Sequence, residues 1–336
     1  MKAAICDIDY YLPVQILSNE KLAENFVDWS AEKISDKTGI DQRHVAGQEE
    51  CASDLALMAA KQLLNKHREI VENIDFLLFC TQSPDYLLPT SACILHEKLH
   101  LPRSCGALDF NLGCSGYVYG IGLAKGLIES QQAKNVLLLT GDTYTKLIDP
   151  QDIGTRSIFG DAGTATLISA IPDAGQMSYI HQPFFGTDGK GAENLIVKQS
   201  GMRKGIQSYS AGEHSSYLYM NGPEIFTFTI ETIPALVDRI LQHNKKKMAD
   251  IDLFVFHQAN AYILSYLRDR MQIPKEKFYL DLQDTGNTVS SSIPIALKRA
   301  WDLGKIKPRA SVMLVGFGVG YSWGGMIVLP HFLENR

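Results

Sequence analysis

The stretch Ile74-Asp75-Phe76-Leu77-Leu78-Phe79-Cys80-Thr81-Gln82 returns later in the chain as Ile251-Asp252-Leu253-Phe254-Val255-Phe256-His257-Gln258. Each copy is a short, continuous apolar run, the pattern of a strand covered on both faces. The echo continues downstream. Leu108-Asp109-Phe110 parallels Leu280-Asp281-Leu282, and Val136-Leu137-Leu138-Leu139 parallels Val312-Met313-Leu314-Val315. The offsets are 177, 172 and 176 residues. Three matches in order at nearly one offset point to a duplicated half. Strands are read over 74–79, 135–140, 251–256 and 310–315, and helices over 51–65, 91–99, 116–130, 261–270 and 294–303. This alternation defines an α/β chain. The halves are placed at 1–170 and 216–336. Residues 171–215 hold seven glycines and read as a connecting excursion carrying one strand pair.

The duplication sets a register. Cys114 and Asn287 fall at equivalent strand-to-helix turns, with His257 at a strand end near them. Ligands bind at the carboxyl ends of such strands. Cys114 stands in Asn111-Leu112-Gly113-Cys114-Ser115-Gly116, just ahead of a helical pattern. A helix start favours thiolate over thiol, so the turn suits a nucleophile. The following helix carries Gly116, Gly120, Gly122 and Gly126. Four helical glycines are costly unless neighbours pack tightly against them. Taken singly, Cys114 also fits a buried small hydrophobe, His257 a satisfied core histidine, and Asp284 to Pro294 a turn with a helix cap. The duplication argues against all three at once, because it gathers them at one sheet edge.

Composition narrows the class. Of the 336 residues 45% are hydrophobic and 21% charged, the balance of a soluble globular enzyme. A net charge of −5 leaves no basic footprint for nucleic acid or an anionic membrane. The cysteines at 6, 51, 80, 93, 105 and 114 show no CxxC spacing. Neither a zinc site nor a disulfide framework is expected, and a cytoplasmic setting fits. The N-terminus lacks the apolar core of a signal peptide. No apolar run approaches the ~20 residues of a membrane span.

Gly113-Cys114-Ser115-Gly116, His257-Gln258-Ala259-Asn260, Gly286-Asn287-Thr288, Phe159-Gly160-Asp161-Ala162-Gly163 and Gly316-Phe317-Gly318-Val319-Gly320-Tyr321-Ser322-Trp323-Gly324 carry a resemblance. Together they resemble the β-ketoacyl-acyl carrier protein synthase III family, condensing enzymes of the thiolase superfamily. Lys37-Thr38-Gly39-Ile40 is similar to the family's Arg-Thr-Gly-Ile. The resemblance implies a thiolase-like fold, with βαβαβ-type halves forming a five-layered α-β-α-β-α core. It implies that Cys114 is acylated by an acyl-CoA or an acyl carrier, with the backbone N–H groups of Cys114 and Val319 holding the oxyanion. It implies a decarboxylative Claisen condensation with a malonyl (or β-ketoacyl) carrier thioester, in which His257 and Asn287 would bind the malonyl thioester carbonyl and Phe317 would form an apolar wall beside the departing carboxylate. A homodimer is implied, with acyl carrier protein as partner, acyl-CoA as a further substrate and no permanently bound cofactor or metal. Fatty-acid or secondary-metabolite synthesis is the setting.

Absences and departures refine this. The C-terminal glycine loop lacks the second cysteine of non-decarboxylating thiolases, and Asn287 replaces the second histidine of elongating synthases. Lys33 stands where housekeeping members carry an adenine-stacking tryptophan, Ile153 replaces the arginine opposite, and Tyr262 replaces a carrier-docking arginine. These changes point to a specialised member with a donor other than acetyl-coenzyme A. By motif position, Leu88 and Tyr86 would line the acyl pocket across a dimer interface, and Lys37, Asn260 and Tyr262 the thioester entrance. Three other readings stay open: acyl transfer to oxygen or nitrogen with His257 as base, a non-catalytic heterodimer partner, and a thiol hydrolase.

Overall fold

The computed structural model describes residues 1–172, 178–204 and 216–332. The first half runs through β1 (Lys2–Tyr11), β2 (Gln15–Ser18), α1 (Asn19–Ala23), α2 (Ala31–Thr38), β3 (Gln42–Val45) and α3 (Ala52–Lys66). It continues with β4 (Phe76–Cys80), α4 (Ser91–Lys98), β5 (Gly106–Phe110), α5 (Gly116–Glu129), β6 (Asn135–Asp142), α6 (Ile153–Arg156) and β7 (Ala162–Ile171). Five of these strands form a sheet in the order β1-β7-β6-β4-β5. β4 runs parallel to β5 and β6, whereas β7 is antiparallel to β6 and β1.

The second half comprises β8 (Phe184–Thr187), β9 (Leu195–Val197), α7 (Gly201–Lys204), β10 (Leu218–Met220), α8 (Gly222–His243), β11 (Leu253–Phe256), α9 (Ala261–Arg270), α10 (Ser292–Asp302), β12 (Val312–Gly318) and β13 (Ser322–Val328). Its sheet has the order β11-β12-β13-β8, with β11 and β12 parallel and the rest antiparallel. Thus β4 and β6 of the first sheet correspond to β11 and β12 of the second. β8 sits beside β13 as β1 sits beside β7, so the connecting excursion supplies an edge strand of the second sheet. β9 pairs with β10, which lies beyond residue 215.

One expected strand is missing. Leu280-Asp281-Leu282, the counterpart of β5, forms no regular strand. A single bridge joins Phe254 to Phe278. The Gln258 side chain has taken the place of a ladder there. Its amide nitrogen donates to the Phe256 and Tyr279 carbonyls, and its oxygen accepts from Asp281 N–H at 2.7 Å.

The apolar surfaces sort into layers. α3 packs on the outer face of the first sheet, and α8 on the outer face of the second. α5 and α10 lie between the sheets, and their buried residues join strand residues of both halves in one cluster. The result is the expected five-layered stack. Close packing accounts for glycines in α5. A Cβ on Gly116 would stand 2.2 Å from Cys80 Sγ, and one on Gly120 2.6 Å from Leu138. Gly126 is different, because nothing lies within 4 Å of such an atom. Among the described residues no helix is long and apolar enough to cross a membrane.

Candidate active site

Cys114 lies at the turn between β5 and α5, with Ser115 as the N-cap residue. The turn is pinned to the second half, since the Ser115 and Ser322 hydroxyls are 2.6 Å apart. The end of β12 presses on the thiol. A Cβ on Gly318 would sit 3.1 Å from Cys114 Sγ. Only glycine lets that backbone come so near.

His257 follows β11 and is 2% exposed. Its Nδ1 lies 2.7 Å from Ser292 Oγ, and that oxygen also accepts from Gln258 N–H at 3.3 Å. Phe317 stands edge-on to the imidazole, with ring centroids 5.6 Å apart. Asn287 is held by both halves. Its N–H donates to the Ile158 carbonyl, and its carbonyl accepts from Gly160 N–H. The side-chain oxygen accepts from Val289 N–H at 2.9 Å, which leaves the amide NH2 as the unengaged end. Gly286, at φ +66°, makes the turn, because a Cβ there would be 2.7 Å from the Ile158 carbonyl oxygen.

Cys114, His257, Asn287, Phe317, Asn260 and Tyr262 all line one cavity of about 350 Å³. Val319 belongs to the apolar cluster around Cys114. Among the described residues, neither Cys114 N–H nor Val319 N–H donates to another residue's backbone carbonyl. Asn260 caps α9 through its side-chain oxygen, on Ile263 N–H. Tyr262 is 64% exposed at the rim, packed with Phe226.

Three expected residues stand apart from the cavity. Lys37 holds its ammonium 4.6 Å from the centre of the Trp29 ring. Tyr86 and Leu88, on the loop between β4 and α4, are 62% and 87% exposed. Within one protomer Cys114 instead packs in one buried cluster with Tyr144, Ile148, Phe159, Leu195 and Leu218. These residues come from scattered segments with no shared period, so the sequence signalled none of them as a wall.

The expected thiolate is not the resting form. Burial, with the Asp142 carboxyl adding to it, pushes the Cys114 thiol well above its ordinary range. Cys114 is only 6% exposed, and desolvation outweighs the helix start. Burial pushes the His257 imidazole down to about 3, so it is neutral at neutral pH. Asp142, beneath the site, accepts from Gln82 N–H at 2.8 Å and from the Ser290 hydroxyl. Burial raises its carboxyl to about 7. The arrangement therefore combines a buried thiol, two neutral hydrogen-bond donors and an apolar wall. It suits chemistry in which negative charge develops on a bound carbonyl oxygen.

The chain is similar to known proteins. Residues 108–189 match the profile described as 3-Oxoacyl-[acyl-carrier-protein (ACP)] synthase III, and residues 241–329 match that of its C-terminal part. A beta-ketoacyl-[acyl-carrier-protein] synthase III of Clostridium perfringens strain SM101 is 35% identical over 97% of this chain and 98% of its own length. A crystal structure of a 3-oxoacyl-(acyl-carrier-protein) synthase III is 46% identical, with a TM-score of 0.95 over 98% of this chain and all of that one. The 3-oxoacyl-(acyl-carrier protein) synthase of Burkholderia xenovorans LB400 superposes with a TM-score of 0.91 at 36% identity, covering 99% of this chain and 95% of its own. The fold and site define a thiolase-like condensing enzyme. The chain belongs to the 3-oxoacyl-[acyl-carrier-protein] synthase III family.

Proposed function

We propose that the protein joins an acyl group to a malonyl-type carrier thioester by decarboxylative Claisen condensation. Cys114 Sγ attacks the donor thioester carbonyl. The donor thiol departs with the proton that Cys114 loses, and an acyl-enzyme remains. The N–H groups of Cys114 and Val319 hold the oxyanion of that step. One such donor is worth about 3 kcal/mol of barrier. The malonyl thioester then enters with its carbonyl oxygen against His257 Nε2–H and the Asn287 amide. Its C–CO2 bond breaks, the electron pair passes into an enolate, and CO2 leaves past Phe317. An apolar wall disfavours the carboxylate charge and so favours its loss. The enolate carbon attacks the acyl carbonyl, and Cys114 leaves as the thiolate.

The observation that carries this reading is the neutral pairing of His257 and Asn287 in the same cavity as the thiol. A neutral imidazole carries one N–H donor and one acceptor nitrogen, so it donates one hydrogen bond while its other nitrogen accepts. The acyl group is placed in the chamber of Tyr144, Phe159, Leu195 and Leu218. Carrier protein is the expected partner, meeting the rim at Phe226 and Tyr262. A homodimer would bring Tyr86 and Leu88 of one protomer to its partner, and these exposed side chains fit such an interface. The donor is assigned as an acyl thioester other than acetyl-coenzyme A, from the residues at Lys33, Ile153 and Tyr262. Incubation with isotopically labelled acyl thioesters and malonyl carrier protein tests the reaction. An adduct on Cys114 and release of CO2 are expected. If a broad donor panel yields neither, the reading is wrong.

A further inference from the structure

We propose that a second cavity, which shares the Phe159 wall with the Cys114 cavity, is a carboxylate site that receives the distal end of a carboxylate-terminated acyl group. This rests on the acyl-transfer reading above. The cavity measures about 330 Å³, and Phe159 is a wall of both cavities. Its floor carries two cations, Lys146 and Arg156, set among Leu17, Val45, Ile148 and Phe159. No acidic residue lines it.

Arg156 is the central observation. Its guanidinium is half-buried and makes no hydrogen bond or ion pair among the described residues. Two acids close to it in sequence are already engaged. Asp161 accepts from Ala46 N–H, Thr145 N–H and the Thr145 hydroxyl, and Asp152 from Gly154 N–H and the Thr155 hydroxyl. Behind Arg156 lies Arg43, fully buried and bonded only to neutral oxygens of Leu17, Asn19 and Ser157. Burial, then the Arg156 charge, lowers the Arg43 guanidinium to about 10. Lys146 gives two N–H groups to the Gln48 and Glu50 carbonyls and keeps a third.

Half-burying an unpaired cation beside another costs free energy, which an incoming anion offsets. A guanidinium fork matches a carboxylate in two parallel hydrogen bonds. The apolar walls leave room for methylenes behind that carboxylate. Ile148 and Phe159 line this cavity and also belong to the cluster around Cys114, so the two side chains are shared by the thiol's surroundings and the cations' cavity, and the acyl end would pass between them.

Two sources share this chemistry, the acyl group on Cys114 and a free amphiphilic carboxylate. The full chain is incubated with two thioester donors of equal length, one ending in a methyl and one in a carboxylate. Intact mass follows the Cys114 adduct. The expected result is that Arg156→Gln slows acylation by the carboxylate donor about tenfold, the loss of one charge-assisted contact. The methyl donor is expected to be unaffected, and Arg156→Lys to restore part of the rate. Equal change for both donors, or none, overturns the proposal while leaving the acyl-transfer reading intact. Failure of both donors on the unaltered chain sinks that reading as well. In parallel, a medium-chain fatty acid is titrated in a thermal-shift assay. Arg156-dependent stabilisation by the free acid, without donor discrimination, would overturn the assignment to the acyl end.

Discussion

Nδ1 of His257 lies 2.7 Å from the hydroxyl oxygen of Ser292. That oxygen accepts the Gln258 N–H, so the serine proton is free to point at Nδ1. A serine hydroxyl donating to Nδ1 would leave the imidazole's own proton on Nε2, the nitrogen proposed to meet the substrate carbonyl. Ser292 thereby acts as a positioning residue. Ser292→Ala is expected to reduce CO2 release about tenfold while self-acylation of Cys114 changes far less. A structural defect would lower both, so single-turnover acylation measured beside decarboxylation separates the two cases.

The same division of labour applies to the donors themselves. His257→Ala and Asn287→Ala are expected to keep self-acylation but to lose decarboxylation by about 10²- to 10³-fold, the usual effect of removing an oxyanion donor. Equal loss of both steps would refute the roles given to them.

How much of this could be read from the sequence depended on how local each signal was. Cys114, His257 and Asn287 could be grouped from the sequence because each follows an apolar run that repeats in the other half, although the run before Asn287 forms no strand. Ser292 lay inside a quoted turn but read as a helix cap, since its partner His257 is 35 residues away. Tyr144, Leu195 and Leu218 meet only through the tertiary fold. Leu280 to Leu282 looked like a strand by pattern, yet the Gln258 side chain competes for its backbone. The thiolate expectation failed for a physical reason too. A sequence shows where a helix starts, not how deeply the residue before it is buried.

Gly318 limits what can stand next to the nucleophile. A methyl group there would lie 2.9 Å from Cys114 Cβ and 3.1 Å from its sulfur. Gly318→Ala should therefore displace the thiol or β12, at a cost of about 1–3 kcal/mol. The expected outcome is at least a tenfold slower acylation with a folded protein of lower Tm. Undiminished acylation kinetics, with circular dichroism as the check on folding, would show that the approach is not tight.

Asp142 makes stability depend on pH. Its folded-state pKa is about 7 against an ordinary value of 3.8, and the side chain is fully buried. A raised pKa means that the folded state holds the proton more firmly. The contribution is fully present below pH 4 and is lost as pH rises through about 7. Its full size is on the order of 4 kcal/mol. Asp142→Asn should flatten the fall in unfolding free energy between pH 5 and 8. Urea titrations at those two pH values measure it, and an unchanged slope in the variant would contradict the assignment.

If the acyl group lies in the cluster around Cys114, Tyr144 is expected to limit its length. Its ring packs 5.2 Å from Phe159, and its hydroxyl donates to Gln82 Oε1 at 2.8 Å. The side chain is 4% exposed and belongs to the same cluster as Cys114, so the ring occupies space that an acyl tail would otherwise enter. Gln82 in turn donates to Asn111 and would meet a Cβ on Gly113 at 2.4 Å. The ring is thus tied through Gln82 to Asn111, three residues before the nucleophile. Tyr144→Leu removes the outer part of the ring and the hydrogen bond while keeping an apolar wall. Leaving Gln82 Oε1 without its donor costs about 1–3 kcal/mol of stability. The donor profile, read from Cys114 adduct masses across a chain-length series, should shift toward longer acyl groups by one or two carbons. A profile that keeps its maximum, in a variant whose Tm shows the expected loss, would move the end of the chamber away from Tyr144 and toward Leu195 and Leu218.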